Sequence, residues 1–168
     1  MSRAACDIVI RALDPVADLA AVEDCYARSA DYWILAERAP LDPGLAAQFF
    51  IQCPPGCDPA HSQRLGLYEG PVLQGLAELS FGFPAPGDAY LGLQILAPEA
   101  RGRGLGRRLL AEVEARARAA GAAALSLAVL AENPRGWAFW AREGFEDTGF
   151  SREDAGSGHV LHRLRKTL

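Results

Sequence analysis

Leu96-Ala97-Pro98-Glu99-Ala100-Arg101-Gly102-Arg103-Gly104-Leu105-Gly106-Arg107-Arg108 sets three glycines and four arginines between an apolar strand and an amphipathic helix. Glycines there let a ligand approach the backbone, the N–H groups that open a helix point outward, and the helix dipole adds positive potential. Arginines contribute forked donors matched to phosphate oxygens. The stretch therefore reads as an anion-binding turn. Two nucleotide signatures are excluded. The glycines fall at 102, 104 and 106, which is not G-x-G-x-x-G, and no Gly-Lys-Ser or Gly-Lys-Thr occurs.

Downstream of the turn, Leu105, Leu109, Val113 and Ala117 make one helical face. Glu112/Arg116 and Glu114/Arg118 pair four apart on the other, and Gly121 stops the helix. Ala123–Leu130 is too apolar to alternate and reads as a strand covered on both faces. A helix (Pro134–Glu143), a strand (Phe145–Phe150), a Gly/Ser loop (Ala155–Gly158) and a last strand (His159–Arg165) follow. Upstream, Leu65–Glu69, Val72–Phe81 and Ala89–Leu96 read as an antiparallel meander. The chain opens with a strand, Cys6–Arg11. Next comes a helix capped by Asp14 with Pro15 at its first position and Val16, Leu19, Ala20, Val22 and Tyr26 at helical spacing. Between Ser29 and Gln63 the prolines at 40, 43, 54, 55 and 59 leave one short helix, Leu45–Ile51.

With 168 residues, 50% apolar and 23% charged, one domain spanning 1–168 is expected, and disorder is excluded. A net charge of −4 argues against a general nucleic-acid binder. Ala122–Ala131, the longest apolar stretch, is far short of the roughly 20 residues of a membrane span, and the acidic Asp7 interrupts an opening with no signal-type apolar run. A soluble cytoplasmic protein without a membrane partner is expected. The 17 basic residues include a single lysine, Lys166, and with so much alanine the sixteen arginines read as GC-rich coding, a bias rather than a function. The four cysteines read as free thiols.

Arg101-Gly102-Arg103-Gly104-Leu105-Gly106 meets the pattern (Gln/Arg)-x-x-Gly-x-(Gly/Ala), with Pro98 ahead of it. Asn133-Pro134-Arg135-Gly136-Trp137-Ala138-Phe139-Trp140-Ala141-Arg142-Glu143-Gly144-Phe145 runs from an asparagine through an aromatic pair to Gly-Phe. In these two motifs, across Ala89–Phe150, the chain resembles the GCN5-related N-acetyltransferase (GNAT) family. The resemblance implies a single α/β domain whose mixed, mostly antiparallel sheet carries helices on both faces, in the order β-α-α-β-β-β-α-β-α-β-β. It implies an acetyl-CoA-dependent N-acetyltransferase acting on a small-molecule amine or a protein amino group by direct attack in a ternary complex. Acetyl-CoA is the implied cosubstrate. Its pyrophosphate would lie on backbone amides of Arg101, Gly102, Arg103, Gly104, Leu105 and Gly106, with Arg101, Arg103 and Arg107 or Arg108 nearby. The pantetheine arm would run along the strand ending at Leu96, pairing near Gln94 and Leu96, with Asn133 on its far side. Strands 89–96 and 123–130 would splay to receive the arm. Members are often dimeric, so a homodimer is also implied.

The chain departs from the family at Trp140, where a tyrosine usually protonates the departing thiolate. Indole has no proton to give at physiological pH. A thiol with a pKa of about 8.5 leaves as thiolate at pH 7 for only about 2 kcal/mol, so water suffices. Tyr90 and Glu78 are the candidate bases. The missing tyrosine also leaves open a non-catalytic acyl-CoA-binding or sensing domain, and the Arg-Gly turn an RNA-binding module. Cys53, Cys57 and His61 offer three metal ligands at an unfamiliar spacing, and a Pro-Gly loop with no metal is expected. His159 and His162 fall on opposite faces of the last strand and read as surface or rim residues. Tyr32, Trp33, Phe49 and Phe50 read equally as acceptor pocket and as core, while Arg163, Arg165 and Lys166 read as a solvated basic patch.

Overall fold

Gly70, at φ 57°, closes the tight turn that folds β2 (Gln63–Glu69) against β3 (Val72–Phe81), a backbone conformation open to glycine and costly for other residues. β4 (Asp88–Leu96) completes the expected antiparallel meander, and β1 (Ile8–Ala12) pairs antiparallel to β2 at its outer edge. The computed structural model describes residues 7–168, so Cys6 lies outside the described residues. α4 (Leu105–Ala119) supplies the crossover that lets β5 (Ala124–Leu130) run parallel to β4. β6 (Glu146–Glu153) and β7 (Val160–Thr167) finish a seven-stranded sheet in the order β1-β2-β3-β4-β5-β7-β6.

Both faces are covered. Leu109, Leu110, Val113 and Ala117 of α4 are buried against Leu79, Leu91, Leu127 and Leu164, and Trp137, Phe139 and Trp140 of α5 (Pro134–Arg142) pack at the margin of that layer. Full burial of each leucine contributes roughly 1.5–3 kcal/mol. The Glu112–Arg116 and Glu114–Arg118 pairs form as expected, and Gly121 adopts φ 82° just beyond the helix. On the opposite face α1 (Leu19–Arg28), α2 (Ala30–Glu37) and α3 (Leu45–Gln48) bury Val22, Tyr26, Trp33 and Phe49 against Leu73, Leu76 and Ile95.

The structure corrects several sequence expectations. The first helix begins at Leu19, because Asp14 caps a separate turn by accepting the N–H groups of Val16 and Ala17. Asp18, just ahead of the helix, is held by Arg11, Tyr68 and the Asp14 N–H. The region after Ser29 contains α2 as well as α3, so three helices precede β2 where two were expected. His159 is buried, its Nε2 lying 2.7 Å from the Leu35 carbonyl oxygen. The terminal basic residues are engaged: Arg165 pairs with Asp88 at 3.3 Å and Lys166 with Glu114 at 2.6 Å.

A single irregularity interrupts the pairing of β4. Glu78 pairs with Leu93 and Leu79 with Leu91, leaving Gly92 as the extra residue of a β-bulge. Leu91 therefore packs into the α4 layer and Leu93, two residues on, into the α1–α3 layer. Pairing between β4 and β5 ends at the same place, with Leu91 opposite Leu127.

Candidate active site

Beyond Leu91 and Leu127 the two parallel strands part, so residues 92–96 and 128–130 face each other across a gap without a ladder between them. A cavity of about 1770 Å³ opens there, lined by β4, β5, the turn before α4, α2, α5 and the β6–β7 pair. Its size exceeds the roughly 300–1,000 Å³ of a single small-ligand pocket and leaves room for two reactants. Gln94 bridges the cavity's edge to α4 through its Nε2, 3.1 Å from the Gly106 carbonyl oxygen. Its Oε1 is buried without a hydrogen-bond partner among the described residues.

The glycines of the turn serve two different purposes. Gly102 (φ 72°) and Gly104 (φ 77°) line the cavity in left-handed conformations, and a Cβ on either would meet only open space. Gly106 sits inside α4, where a Cβ would come within 3.3 Å of Leu96 and 3.4 Å of Phe139. The first N–H groups of α4, from Leu105 onward, have no carbonyl of their own helix to bond and carry its positive dipole end.

The arginines of the turn are largely committed to the protein. Arg101 forks onto Asp31 at 2.5 and 3.1 Å while its Nε reaches the Leu96 carbonyl oxygen at 3.0 Å. Arg103 forks onto Glu69 at 2.6 and 3.0 Å, and Arg108 donates to the Ile8 carbonyl oxygen. Arg107 is 79% exposed and loosely paired with Glu143 at 3.6 Å, which leaves it the most available of the four.

Glu78 projects from β3 into the space above Gly92, where a Cβ would displace the Glu78 carboxylate. The residue is 5% exposed, and burial pushes the carboxyl pKa above the ordinary value. Ser80 donates a short hydrogen bond to Glu78, and Ser62 lies 2.7 Å from the Ser80 oxygen. Since Ser62 is half-buried, this chain of hydroxyls leads from Glu78 toward the surface. Tyr90 stands edge-on to Phe83 at 4.9 Å. Burial pushes its phenol up, against the pull of Arg163 and Arg152, so it holds its proton at neutral pH. Trp140 packs edge-on against Phe139 (4.8 Å) and Phe145 (5.3 Å) on the opposite wall. Asn133 caps α5, its Oδ1 accepting the Gly136 N–H at 2.9 Å, so its amide NH₂ is what remains to face the cavity. Most of the expected residues thus line one cavity; Arg103, Leu105 and Arg108 do not, and Arg101 and Arg103 are turned to protein carboxylates.

A model of the acetyltransferase (GNAT) family matches residues 23–145, most of the chain. The chain belongs to that family. As a GNAT protein it is an acetyl-CoA-dependent N-acetyltransferase, and the cavity's glycine turn and open strand edge fit that cosubstrate. Comparison with curated proteins gives no significant match. Among solved structures, an acetyltransferase from Thermus thermophilus superposes with a TM-score of 0.76 at 22% identity, covering 98% of this chain and 99% of that one. The ribosomal-protein-S18-alanine N-acetyltransferase from Escherichia coli gives 0.71 at 20% identity over 96% and 94%. The PaiA N-acetyltransferase from Thermoplasma acidophilum, in complex with coenzyme A, gives 0.68 at 21% identity over 96% and 99%. At these identities the structures share the fold.

The GNAT site also contains residues that sequence reasoning passed over. Gly92 is one, since nothing in a single glycine announces a bulge. Its position carries a prediction: Gly92→Ala, which needs the Glu78 carboxylate to move, lowers acetyl transfer by about tenfold or more with circular dichroism unchanged. Wild-type rates would detach the bulge from the chemistry. Arg135, Arg142 and Arg152 are the others, all on the cavity wall, and Arg163, expected in a solvated patch, joins them there against the Phe150 ring. No group of three metal-ligating side chains gathers among the described residues. Cys53 and Cys57 instead contact the carbonyl oxygens of Cys57 and Phe81, and His61 is exposed beside Asp58. Among the described residues no helix is long and apolar enough to cross a membrane.

Proposed function

We propose that this chain acetylates the amino group of a small molecule or a protein by direct attack on the thioester of acetyl-CoA within a ternary complex, with Glu78 as the base. The observation that carries this reading is the buried Glu78 carboxylate, set over Gly92 where β4 and β5 part. A carboxyl pushed up by burial is better matched to a protonated amine than an exposed one, and Ser80 and Ser62 give the proton a way out. Tyr90, keeping its proton, serves as a donor and not as a base. The N–H groups opening α4 and the amide of Asn133 hold the cosubstrate, and Arg107 adds charge at its phosphates. Acetyl-CoA supplies an activated carbonyl and a thiol leaving group. The experiment is a screen of amines with thiol release as readout. Saturable release that requires an amine supports the reading, and binding of acetyl-CoA with no release across the screen refutes it.

Trp140 acts in this scheme as an aromatic wall beside the leaving thiol. Trp140→Phe keeps the edge-on contacts with Phe139 and Phe145 and lowers turnover by much less than the 10²–10⁴-fold typical of losing a general acid. Melting temperature is the control, because shrinking a packed indole destabilises. A thousandfold fall in a stable Trp140→Phe protein would make the indole N–H a required donor.

A further inference from the structure

Every described arginine except four donates a hydrogen bond or sits in an ion pair, and the four exceptions, Arg135, Arg142, Arg152 and Arg163, all line the cavity. An arginine on a cavity wall that makes no hydrogen bond or ion pair keeps its forked donors available to an anion. The four divide by position. Arg135 and Arg142 belong to the two ends of α5, and the Arg107–Glu143 pair ties the Arg142 end to the start of α4 beside the glycine turn. Arg152 and Arg163 belong to β6 and β7, on the other side of the gap.

The β6–β7 pair is the unexplained one. Arg163 lies between two rings, 4.2 Å from the Phe150 centroid and 5.2 Å from that of Phe83, and Phe83 in turn packs on Tyr90. The rings fix the guanidinium without neutralising it. Tyr90, Glu78, Arg152 and Arg163 all line the same cavity, which puts two guanidiniums and the carboxylate along one wall with the phenol. Asp154, two residues beyond Arg152 and also on the cavity wall, accepts the N–H and hydroxyl of Ser157 and is near enough for the charge of Arg152 to favour its ionised form, though the two form no ion pair.

We infer that the acceptor is an amine carrying an oxyanion, a carboxylate or a phosphate, which Arg163 and Arg152 hold while Glu78 faces its amino group. This rests on the proposed acetyl transfer. The amine's nitrogen forms a bond to the acetyl carbon, the thioester C–S bond breaks, and the amine's proton is accounted for by the thiol released. Opposite charges on the acceptor thus meet opposite charges of the wall, which orients the amine before reaction.

The test measures kcat/KM for thiol release with matched acceptors: amino acids against their carboxamides, and aminoalkyl phosphates against the corresponding amino alcohols. The anionic member of at least one series is preferred by about tenfold or more, and the series that shows it identifies the oxyanion. Arg163→Met and the more exposed Arg152→Met each erode the preference through the acceptor's KM, leaving the KM for acetyl-CoA in place. Arg163→Lys restores part of the preference. Equal or better use of the neutral member in both series overturns the inference and leaves acetyl transfer standing. If acetyl-CoA binds by calorimetry but no amine is acetylated, both fall.

Discussion

Glu78→Gln lowers kcat by about 10²–10⁴-fold while the protein melts no lower than wild type. The two halves of this expectation share a cause. Burial raises the Glu78 pKa in the folded chain above its ordinary value, so the folded state binds this proton more tightly than the unfolded one. Wild-type stability therefore falls as pH rises from the ordinary carboxyl value through the folded one, and the amide escapes that loss. The Gln variant should match wild type in melting at acidic pH and equal or exceed it at pH 8. Activity moves oppositely: the wild-type rate climbs with pH as Glu78 ionises, and the variant lacks that limb. Measuring kcat and melting temperature across pH separates chemistry from folding. Unchanged kcat at saturating acetyl-CoA would remove Glu78 from the reaction, and a collapse in melting temperature would make it structural.

Gly104→Val weakens acetyl-CoA binding by about 100-fold or more, about 2.7 kcal/mol, while leaving the fold in place. Gly104 sits at φ 77° ahead of α4 on the cavity wall, and a Cβ there would stand in open space beside the start of the helix. Holding an L-residue in that conformation costs roughly 1–2 kcal/mol, so some loss of stability accompanies the loss of binding. Gly104→Asn separates the two effects, because asparagine tolerates positive φ yet still obstructs the N–H groups. Calorimetry with acetyl-CoA on both variants, beside their melting curves, gives the answer. Wild-type affinity in a folded Gly104→Asn protein would mean that the ligand approaches elsewhere.

Much of the fold is legible in the sequence. The α4 stripe, the meander and the two motifs each rest on local periodicity or on glycines at fixed spacing, and local signals survive in a single sequence. α2 escapes such a reading because its helical face is apolar nearly all round, Tyr32-Trp33-Ile34-Leu35-Ala36, so no amphipathic period marks it. The fate of the turn's arginines is hidden for another reason. Asp31 and Glu69 reach Arg101 and Arg103 from 70 and 34 residues away in the chain, and only tertiary packing reveals the pairing. One hint is readable at the α5 cap: Arg135 stands in the first turn of a helix, where the dipole disfavours a positive charge, and such a residue is placed for something other than helix stability.

α2 crosses the divergence of the sheet with both ends tied down. Near its start Asp31 grips Arg101 just past β4, and near its end Leu35 receives His159 ahead of β7 while Arg38 reaches Glu132 past β5 and the Ser157 carbonyl oxygen. The helix is thus a strut tied to both halves of the sheet, at Arg101 beyond β4 and at Glu132 and His159 beside β5 and β7. Swinging the halves of the sheet apart would break charged contacts at both anchorages in the same movement. Any widening of the passage to admit two reactants therefore has to loosen these contacts, which couples the opening of the wedge to α2.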